Sequence, residues 1–340
     1  MFRTPLHLER IFQSVEGCKG TKLITLTQHA SPAVVESPVW PTLAVPAGPF
    51  GNEAFVTAAG HAARVMPAVI HDALVDFTDS PPQAGAIVLR GLPVGELPLT
   101  PDSPTAPYDK PLVSEFTLLT VARRLGQLVG YLPEHGGDLI QNLVPTKSNA
   151  DRQVSTSSKV QLMFHTEAAF HPHRPKYLLL LCLRGDENAF TTLSSIFEVL
   201  PNLSERVVDT LFQPRFRTAV DESYLHGRSN VLGPPMPVLR GERTRPTMVF
   251  DADLMVGIDE EADEALRALS TAVEAQHAGV ALQAGDLLVV DNNVAVHGRS
   301  PYQPRFDGYD RWLQRSMVVA DLAASAGERN GRVIVTRFGA

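Results

Sequence analysis

From about residue 139 to residue 319 the chain is a succession of short apolar segments rich in β-branched and aromatic residues. They are Leu139–Gln141, Val160–Phe164, Tyr177–Leu183, Phe190–Leu193, Phe216–Val220, Thr247–Phe250, Asp286–Val290 and Trp312–Val319, with Ala86–Leu89 upstream of the same character. Segments of this length and composition read as strands, and so many in one run predict an antiparallel β sandwich. Two stretches at helical spacing interrupt them, at about 195–213 and 259–277. The second opens with Asp259, Glu260, Glu261 and Asp263, acids that suit the positive end of a helix dipole.

The first third of the chain is different. Prolines concentrate between about 31 and 48 and between about 92 and 111, marking two irregular connections. Between them, 60–77 carries apolar residues at helical spacing, with Pro67 a local objection. Residues 114–130 predict a firmer helix, with Ser114 as N-cap and Leu118, Leu119, Val121, Leu125 and Leu128 as one apolar stripe. Repeats and low-complexity tracts are absent. The economical reading is one domain over 1–340: a helical or irregular part at 1–85, a β core with flanking helices at 86–340, and a Gly-, Arg- and Pro-rich segment at 222–245 as a mobile lid.

Composition narrows the function classes. With 44% hydrophobic and 20% charged residues, the 340-residue chain can bury a sizeable core. Its net charge of -7, pI near 5.9 and scattered basic residues argue against a nucleic-acid partner and for a small-molecule one. Cys18 and Cys182 are the only cysteines, and Cys182 falls in an apolar run, so a buried free thiol and a reducing cytoplasm are expected rather than a disulfide framework. No stretch approaches the roughly 18 apolar residues of a membrane span, and the N-terminus lacks the pattern of a secretory signal. A soluble, cytoplasmic protein is the expectation.

The chemistry concentrates at His165-Thr166-Glu167, directly after a strand candidate. In an extended chain residues i and i+2 point to one side, so an imidazole and a carboxylate converge. His297, where the strand Asp286–Val290 emerges from a polar turn, offers a second imidazole. Two histidines and one carboxylate on a common face leave open coordination positions opposite, the arrangement of iron(II) oxygenases. A second His-x-Glu, His7-Leu8-Glu9, falls in a stretch whose spacing predicts an amphipathic helix and reads as a helix surface. Arg311, fourteen residues after His297, adds a guanidinium able to receive a carboxylate bidentately. A zinc hydrolase could use two histidines and a carboxylate, but it has no evident use for Arg311.

With His297 and Arg311, the run from Phe164 to Arg184 resembles the clavaminate synthase-like branch of the 2-oxoglutarate oxygenases, which includes hydroxylases of free arginine, asparagine and lysine. The similarity extends from about Val88 to Val319. It implies a distorted jelly-roll (double-stranded β-helix) core, with Fe(II), 2-oxoglutarate as cosubstrate and O2. By the resemblance, His165, Glu167 and His297 are the metal ligands and catalytic centre, and Arg311 pairs with the cosubstrate. Thr191 adds a hydroxyl to the same carboxylate, with Thr192 its rival at a one-residue shift. Gln141 and Ser155 occupy positions that hold the amino acid's α-amino and α-carboxylate groups, and Arg315 matches an arginine at the substrate or cosubstrate carboxylate.

The resemblance further implies that Asp251 and Asp253, joined by Asp221, grip a cationic side chain, which favours L-arginine or L-lysine over a neutral amino acid. Each residue has a plainer alternative: a ladder end for Gln141, a turn for Ser155, a surface cation for Arg315, a capped turn for Asp251 and Asp253. An intact Glu167 argues against halogenation. Hydroxylation at C3 or C4 with release of succinate and CO2 is the expected outcome. Desaturation or cyclisation of an amino-acid-derived metabolite and hydroxylation of asparagine or glutamine are the alternatives.

Overall fold

The structure, a computed structural model, describes residues 30–40, 43–105 and 109–339. His7, Glu9 and Cys18 lie outside the described residues. The helices are α1 (Glu53–Ala62), α2 (Ala68–Asp79), α3 (Val113–Leu125), α4 (Ile196–Val199), α5 (Glu205–Leu211), α6 (Glu222–Leu225) and α7 (Glu260–Ala275). The strands run β1 (Ala33–Glu36), β2 (Ala86–Arg90), β3 (Gln127–Tyr131), β4 (Gln141–Leu143), β5 (Leu162–His165), β6 (Tyr177–Arg184), β7 (Thr191–Ser195) and β8 (Phe216–Thr218). They continue with β9 (Leu239–Glu242), β10 (Arg245–Met248), β11 (Met255–Gly257), β12 (Ala278–Val280), β13 (Leu287–Asp291), β14 (Ala295–Arg299), β15 (Trp312–Val319), β16 (Arg329–Asn330) and β17 (Val333–Ile334).

Two sheets face each other. The larger has the order β1-β2-β13-β6-β15-β3-β17-β16, with β4 also pairing β15, and the smaller has the order β12-β7-β14-β5. Antiparallel pairing dominates, as expected, but β1 joins β2 and β17 joins β3 in parallel. The period-two alternation of β6 shows how the layers form. Leu178, Leu180 and Cys182 point between the sheets, whereas Leu179, Leu181 and Leu183 pack against the layer containing Phe55, Ile70, Leu118 and Leu119 of α1–α3. Helices α4, α5 and α7 cover the smaller sheet through Ile196, Val208, Leu211, Leu266 and Leu269, which pack with Val296 and Phe164. This is the jelly-roll core that the strand succession and the resemblance led us to expect.

The differences from expectation have local causes. Pro67 divides the first helical stretch into α1 and α2, because a proline ring clashes with the preceding turn and lacks an N–H. Ser114 lies inside α3 rather than capping it, and its hydroxyl accepts from Lys110 Nζ at 2.7 Å. The same helix stops at Leu125, since a Cβ on Gly126 would lie 2.5 Å from the Val319 carbonyl. Leu128 therefore belongs to a strand. The stretch 195–213 breaks at Pro201 into α4 and α5. Residues 239–245, expected in the lid, instead begin the β9–β10 hairpin, and α6 stands at its other end.

Candidate active site

His165 ends β5 and His297 lies in β14, and the two are directly paired across the antiparallel ladder, with ring centroids 4.3 Å apart. His165 Nδ1 donates to the Met163 carbonyl at 2.9 Å, which turns Nε2 outward as the free ligand nitrogen. Thr166 leaves the strand pinned to Phe250 in both directions: its N–H donates to the Phe250 carbonyl at 2.7 Å and its hydroxyl accepts from the Phe250 N–H at 3.0 Å. Glu167 then meets Asn292, a wholly buried residue of the β13–β14 turn. Asn292 Oδ1 accepts the Glu167 N–H at 2.7 Å and Nδ2 donates to the Glu167 carbonyl at 3.1 Å. The chain next turns through Ala168 at φ 52.

Ligand atoms of His165, Glu167 and His297 consequently lie within 4.8 Å of one another, with His297 Nε2 3.5 Å from Glu167 Oε2. Glu167 Oε2 is buried and has no hydrogen-bond partner. A buried carboxylate oxygen facing two imidazoles is what a divalent metal satisfies, and the N,N,O donor set suits iron(II). Burial opposes charge on Glu167, but the Arg315 guanidinium at 3.1 Å, with His297, holds its carboxyl well below the usual carboxylate range. His297 is pushed down to about 4 by burial and by His165, so it is a neutral ligand at neutral pH.

On one side of this triad stands Arg311, buried at the entrance to β15, with Nη2 3.3 Å from the Thr191 hydroxyl. Both line the cavity of about 370 Å³ that contains the triad. Thr192 does not. It follows Thr191 in β7 and points to the opposite face, beside Gly298, with its hydroxyl buried and unpartnered. Of the two threonines, Thr191 is the one that faces the cavity.

On the other side, Arg315 gathers the polar groups. Its Nε donates to Gln141 Oε1 at 2.8 Å, Nη1 to Glu167 at 3.1 Å, and Nη2 to Gln141 and to Glu134. Arg315 thus bonds Glu167, Gln141 and Glu134, and none of these hydrogen bonds reaches Thr191. Gln141 holds Arg315, and its own Nε2 is buried without a partner. Glu134 has no counterpart in the sequence reading. It lies in the turn after β3, a position without periodicity, and reaches the site only because β3 pairs with β15. Burial pushes its carboxyl above the ordinary value against the pull of Arg315, and its second oxygen accepts from the Tyr224 hydroxyl at 3.1 Å.

The expected acid pair is rearranged. Asp251 and Asp253 do not share one side of an extended segment, because residues 251–254 form a turn in which Asp251 Oδ1 accepts from the Asp253 and Leu254 N–H groups at 2.9 and 2.8 Å. Asp251 is a capped turn, buried beside His165, while Asp253 is exposed at the cavity wall. Asp221 caps α6, accepting from the Ser223 N–H at 2.8 Å, and lines the cavity, as does Ser155 in the loop opposite. Arg152, also unforeseen, crosses from that loop to Glu222 at 2.6 Å.

Residues 82–317 match the taurine catabolism dioxygenase TauD, TfdA family. The L-asparagine oxygenase of Streptomyces coelicolor is 38% identical over 90% of this chain and 92% of the relative. The L-lysine 3-hydroxylase of Catenulispora acidiphila is also 38% identical, over 84% and 81%. Among solved structures, asparagine oxygenase in complex with Fe(II), 3-hydroxyasparagine and succinate superposes with a TM-score of 0.80 at 38% identity, covering 85% of this chain and 92% of that one. The non-heme iron oxygenase OrfP in complex with Fe and α-ketoglutaric acid gives 0.79 at 31%, covering 88% and 99%. The chain belongs to the TauD/TfdA family, and is a non-haem iron(II), 2-oxoglutarate-dependent oxygenase. Among the described residues no helix is long and apolar enough to cross a membrane.

Proposed function

We propose that this enzyme hydroxylates an unactivated C–H, at C3 or C4, of a free L-amino acid, with L-arginine or L-lysine preferred. The observation that carries this reading is the Arg315–Glu134 ion pair, whose side chains are 6% and 9% exposed on the cavity wall beside the metal carboxylate. A zwitterion inserted there gives its carboxylate to Arg315 and its ammonium to Glu134, charge for charge. This fixes the α-carbon and leaves the side chain to extend past the triad. Gln141 supports the same end by accepting from the Arg315 guanidinium.

Iron(II), held by His165, Glu167 and His297, supplies dioxygen activation coupled to oxidative decarboxylation of 2-oxoglutarate to succinate and CO2. Arg311 and the Thr191 hydroxyl receive the cosubstrate's far carboxylate, and Arg315 and Glu134 orient the amino acid. Phe170, Leu180, Leu254 and Leu313 line the cavity and limit water.

The cavity lining carries six carboxylates, Glu134, Glu167, Asp221, Glu222, Asp251 and Asp253, against four guanidiniums, Arg152, Arg299, Arg311 and Arg315, which supports a cationic side chain. A second reading, a neutral amino acid such as asparagine or glutamine, draws on Asn149, Gln153 and Ser155 in the same wall. The buried free thiol of Cys182, pushed up to about 12 by burial, accords with a reducing cytoplasm.

The test is a panel of free amino acids with iron(II), ascorbate and 2-oxoglutarate, with products identified by mass spectrometry. If no basic amino acid stimulates succinate formation, the cationic reading fails. Asp253→Ala should raise KM for basic substrates about two- to fivefold, equivalent to about 0.4–1 kcal/mol for an exposed ion pair, and leave cosubstrate KM within about twofold. Equal loss of both would count against a side-chain grip.

A further inference from the structure

Glu134 has two carboxylate oxygens with different fates. Oε1 is bound to Arg315, the partner a zwitterion would displace, whereas Oε2 accepts from the Tyr224 hydroxyl. Tyr224 is in α6, at the start of the segment expected as a lid, and yet it is only 4% exposed. Its ring is held by aromatic neighbours from three other parts of the fold. Phe170, three residues past Glu167, meets it edge-on at 4.9 Å between centroids, Tyr131 of β3 lies at 6.0 Å, and Phe338 at 6.3 Å.

Phe338 closes this cage. It packs edge-on against Phe170 at 5.0 Å and against His171 at 5.1 Å, and its carbonyl accepts from Arg228 Nη1, beyond α6. A Cβ on Gly339 would meet Arg228 Cβ at 2.8 Å and the Ser229 carbonyl at 2.9 Å, so the segment after β17 lies tight against the lid. His226 Nε2 also bonds the Pro133 carbonyl at 2.7 Å, tying the end of α6 to the turn that carries Glu134. Tyr224 bonds Glu134 and Arg311 bonds Thr191, and among the described residues no hydrogen bond or ring contact joins the two sets. The cage therefore acts on one half of the site.

We propose that Tyr224, locked in place by Phe338, is a positioning residue that aims Glu134 at the α-ammonium of the substrate, so that the segment after β17 governs amino-acid recognition without touching the cosubstrate. This rests on the zwitterion reading above. With Oε2 fixed by the tyrosine, Glu134 is prevented from rotating with Arg315 when the substrate carboxylate takes the guanidinium, and Oε1 stays directed at the ammonium.

The test uses the full chain with iron(II), 2-oxoglutarate and whichever of L-lysine, L-arginine and L-asparagine the wild type turns over. Each is compared with its deamino counterpart: 6-aminohexanoate, 5-guanidinopentanoate or succinamate. Tyr224→Phe removes one hydroxyl and keeps the ring. It should raise KM for the amino acid about tenfold, leave 2-oxoglutarate KM within about twofold, and leave unchanged the kcat/KM of the deamino compound, which is far lower from the outset because the ammonium is missing. Phe338→Ala should reproduce the pattern and Phe338→Leu should recover most of it. Thermal melting with and without 2-oxoglutarate confirms that each variant folds and binds cosubstrate.

If Tyr224→Phe moves both KM values equally, or neither, while Glu134→Gln raises the amino-acid KM alone, the role of Tyr224 is overturned and the zwitterion reading stands. If Glu134→Gln is also silent toward the amino acid, both are overturned.

Discussion

Asn292→Ala tests how the metal carboxylate is held. The Asn292 side chain makes three buried hydrogen bonds: Oδ1 accepts the Glu167 N–H at 2.7 Å, and Nδ2 donates to the carbonyls of Glu167 at 3.1 Å and Pro175 at 2.9 Å. Truncation leaves one donor and two acceptors without partners in a site from which water is excluded. At about 1–3 kcal/mol for each unsatisfied buried group, partly relieved by relaxation or an entering water, the loss is about 3–6 kcal/mol. That is a large part of the roughly 5–15 kcal/mol that stabilises a folded protein. Because these bonds set the backbone from which Glu167 projects, metal affinity should fall about 10- to 100-fold as well. Urea unfolding of the metal-free protein reads the first quantity, and calorimetric titration with manganese(II), which does not turn over, reads the second. Asn292→Asp retains the acceptor and loses the donor, and should lose metal affinity even where it folds. A variant with alanine within about 1 kcal/mol of wild type and with unchanged manganese affinity would refute the claim that Asn292 aims the ligand.

Two further outcomes follow from the geometry. Arg311→Lys keeps a charge but loses the planar fork and the contact with Thr191 at 3.3 Å, so 2-oxoglutarate KM should rise about 10- to 100-fold with amino-acid KM little changed; a comparable rise in both would mean that Arg311 serves the whole cavity. His171, buried among Tyr131, Phe170 and Phe338, is pushed down to about 3 by burial and by His173 from an ordinary 6.5. The unfolded chain then binds a proton that the fold refuses, so stability is complete above pH 6.5 and is lost progressively as pH falls toward 3. The contribution at pH 5 is about 2 kcal/mol, and His171→Gln, which keeps an acceptor for the His173 N–H, should flatten the fall in urea midpoint between pH 7 and pH 5; an unaltered slope would assign the pH dependence elsewhere.

The metal triad was legible because its signals are local and periodic. His165 and Glu167 are two apart at a strand end, and His297 lies in β14 while Arg311 directly precedes β15. Other features depended on register. Thr191 and Thr192 are equivalent in sequence, and only the pairing of Thr192 with Gly298 turns one in and the other away. Asp251 and Asp253 are two apart, which in an extended chain puts both carboxylates on one side, whereas the Asp251 carboxylate caps the turn it creates. Glu134 and Asn292 were invisible for a different reason. Each lies in a turn whose composition is ordinary, and each acquires its role from a strand far away in sequence: β15 for Glu134 and the end of β5 for Asn292. The helix at 114–130 overran because the apolar stripe of α3 continues into β3, and the signal that ends it, Gly126 against the Val319 carbonyl, is a tertiary contact.

The same dependence on distant strands builds the Arg315–Glu134 ion pair to which the proposed function assigns the amino acid. Arg315 has five N–H donors, and its four hydrogen bonds to Gln141, Glu167 and Glu134 leave one donor on Nη1 without an acceptor. A single donor cannot receive a carboxylate bidentately, so on the proposed reading a bidentate substrate carboxylate releases one of these partners. Releasing Glu167 would disturb the metal ligand, and releasing Gln141 would supply no cation-binding group. Releasing Glu134 frees a carboxylate at the moment the substrate ammonium requires one. Each buried charge then exchanges one opposite charge for another, and no uncompensated charge is left behind. A ligand with only the carboxylate would strand Glu134, and one with only the ammonium would leave Arg315 under-paired. Breaking a buried pair by removing one partner costs about 3–5 kcal/mol, so the ion pair alone discriminates against singly charged ligands by about two to three and a half orders of magnitude.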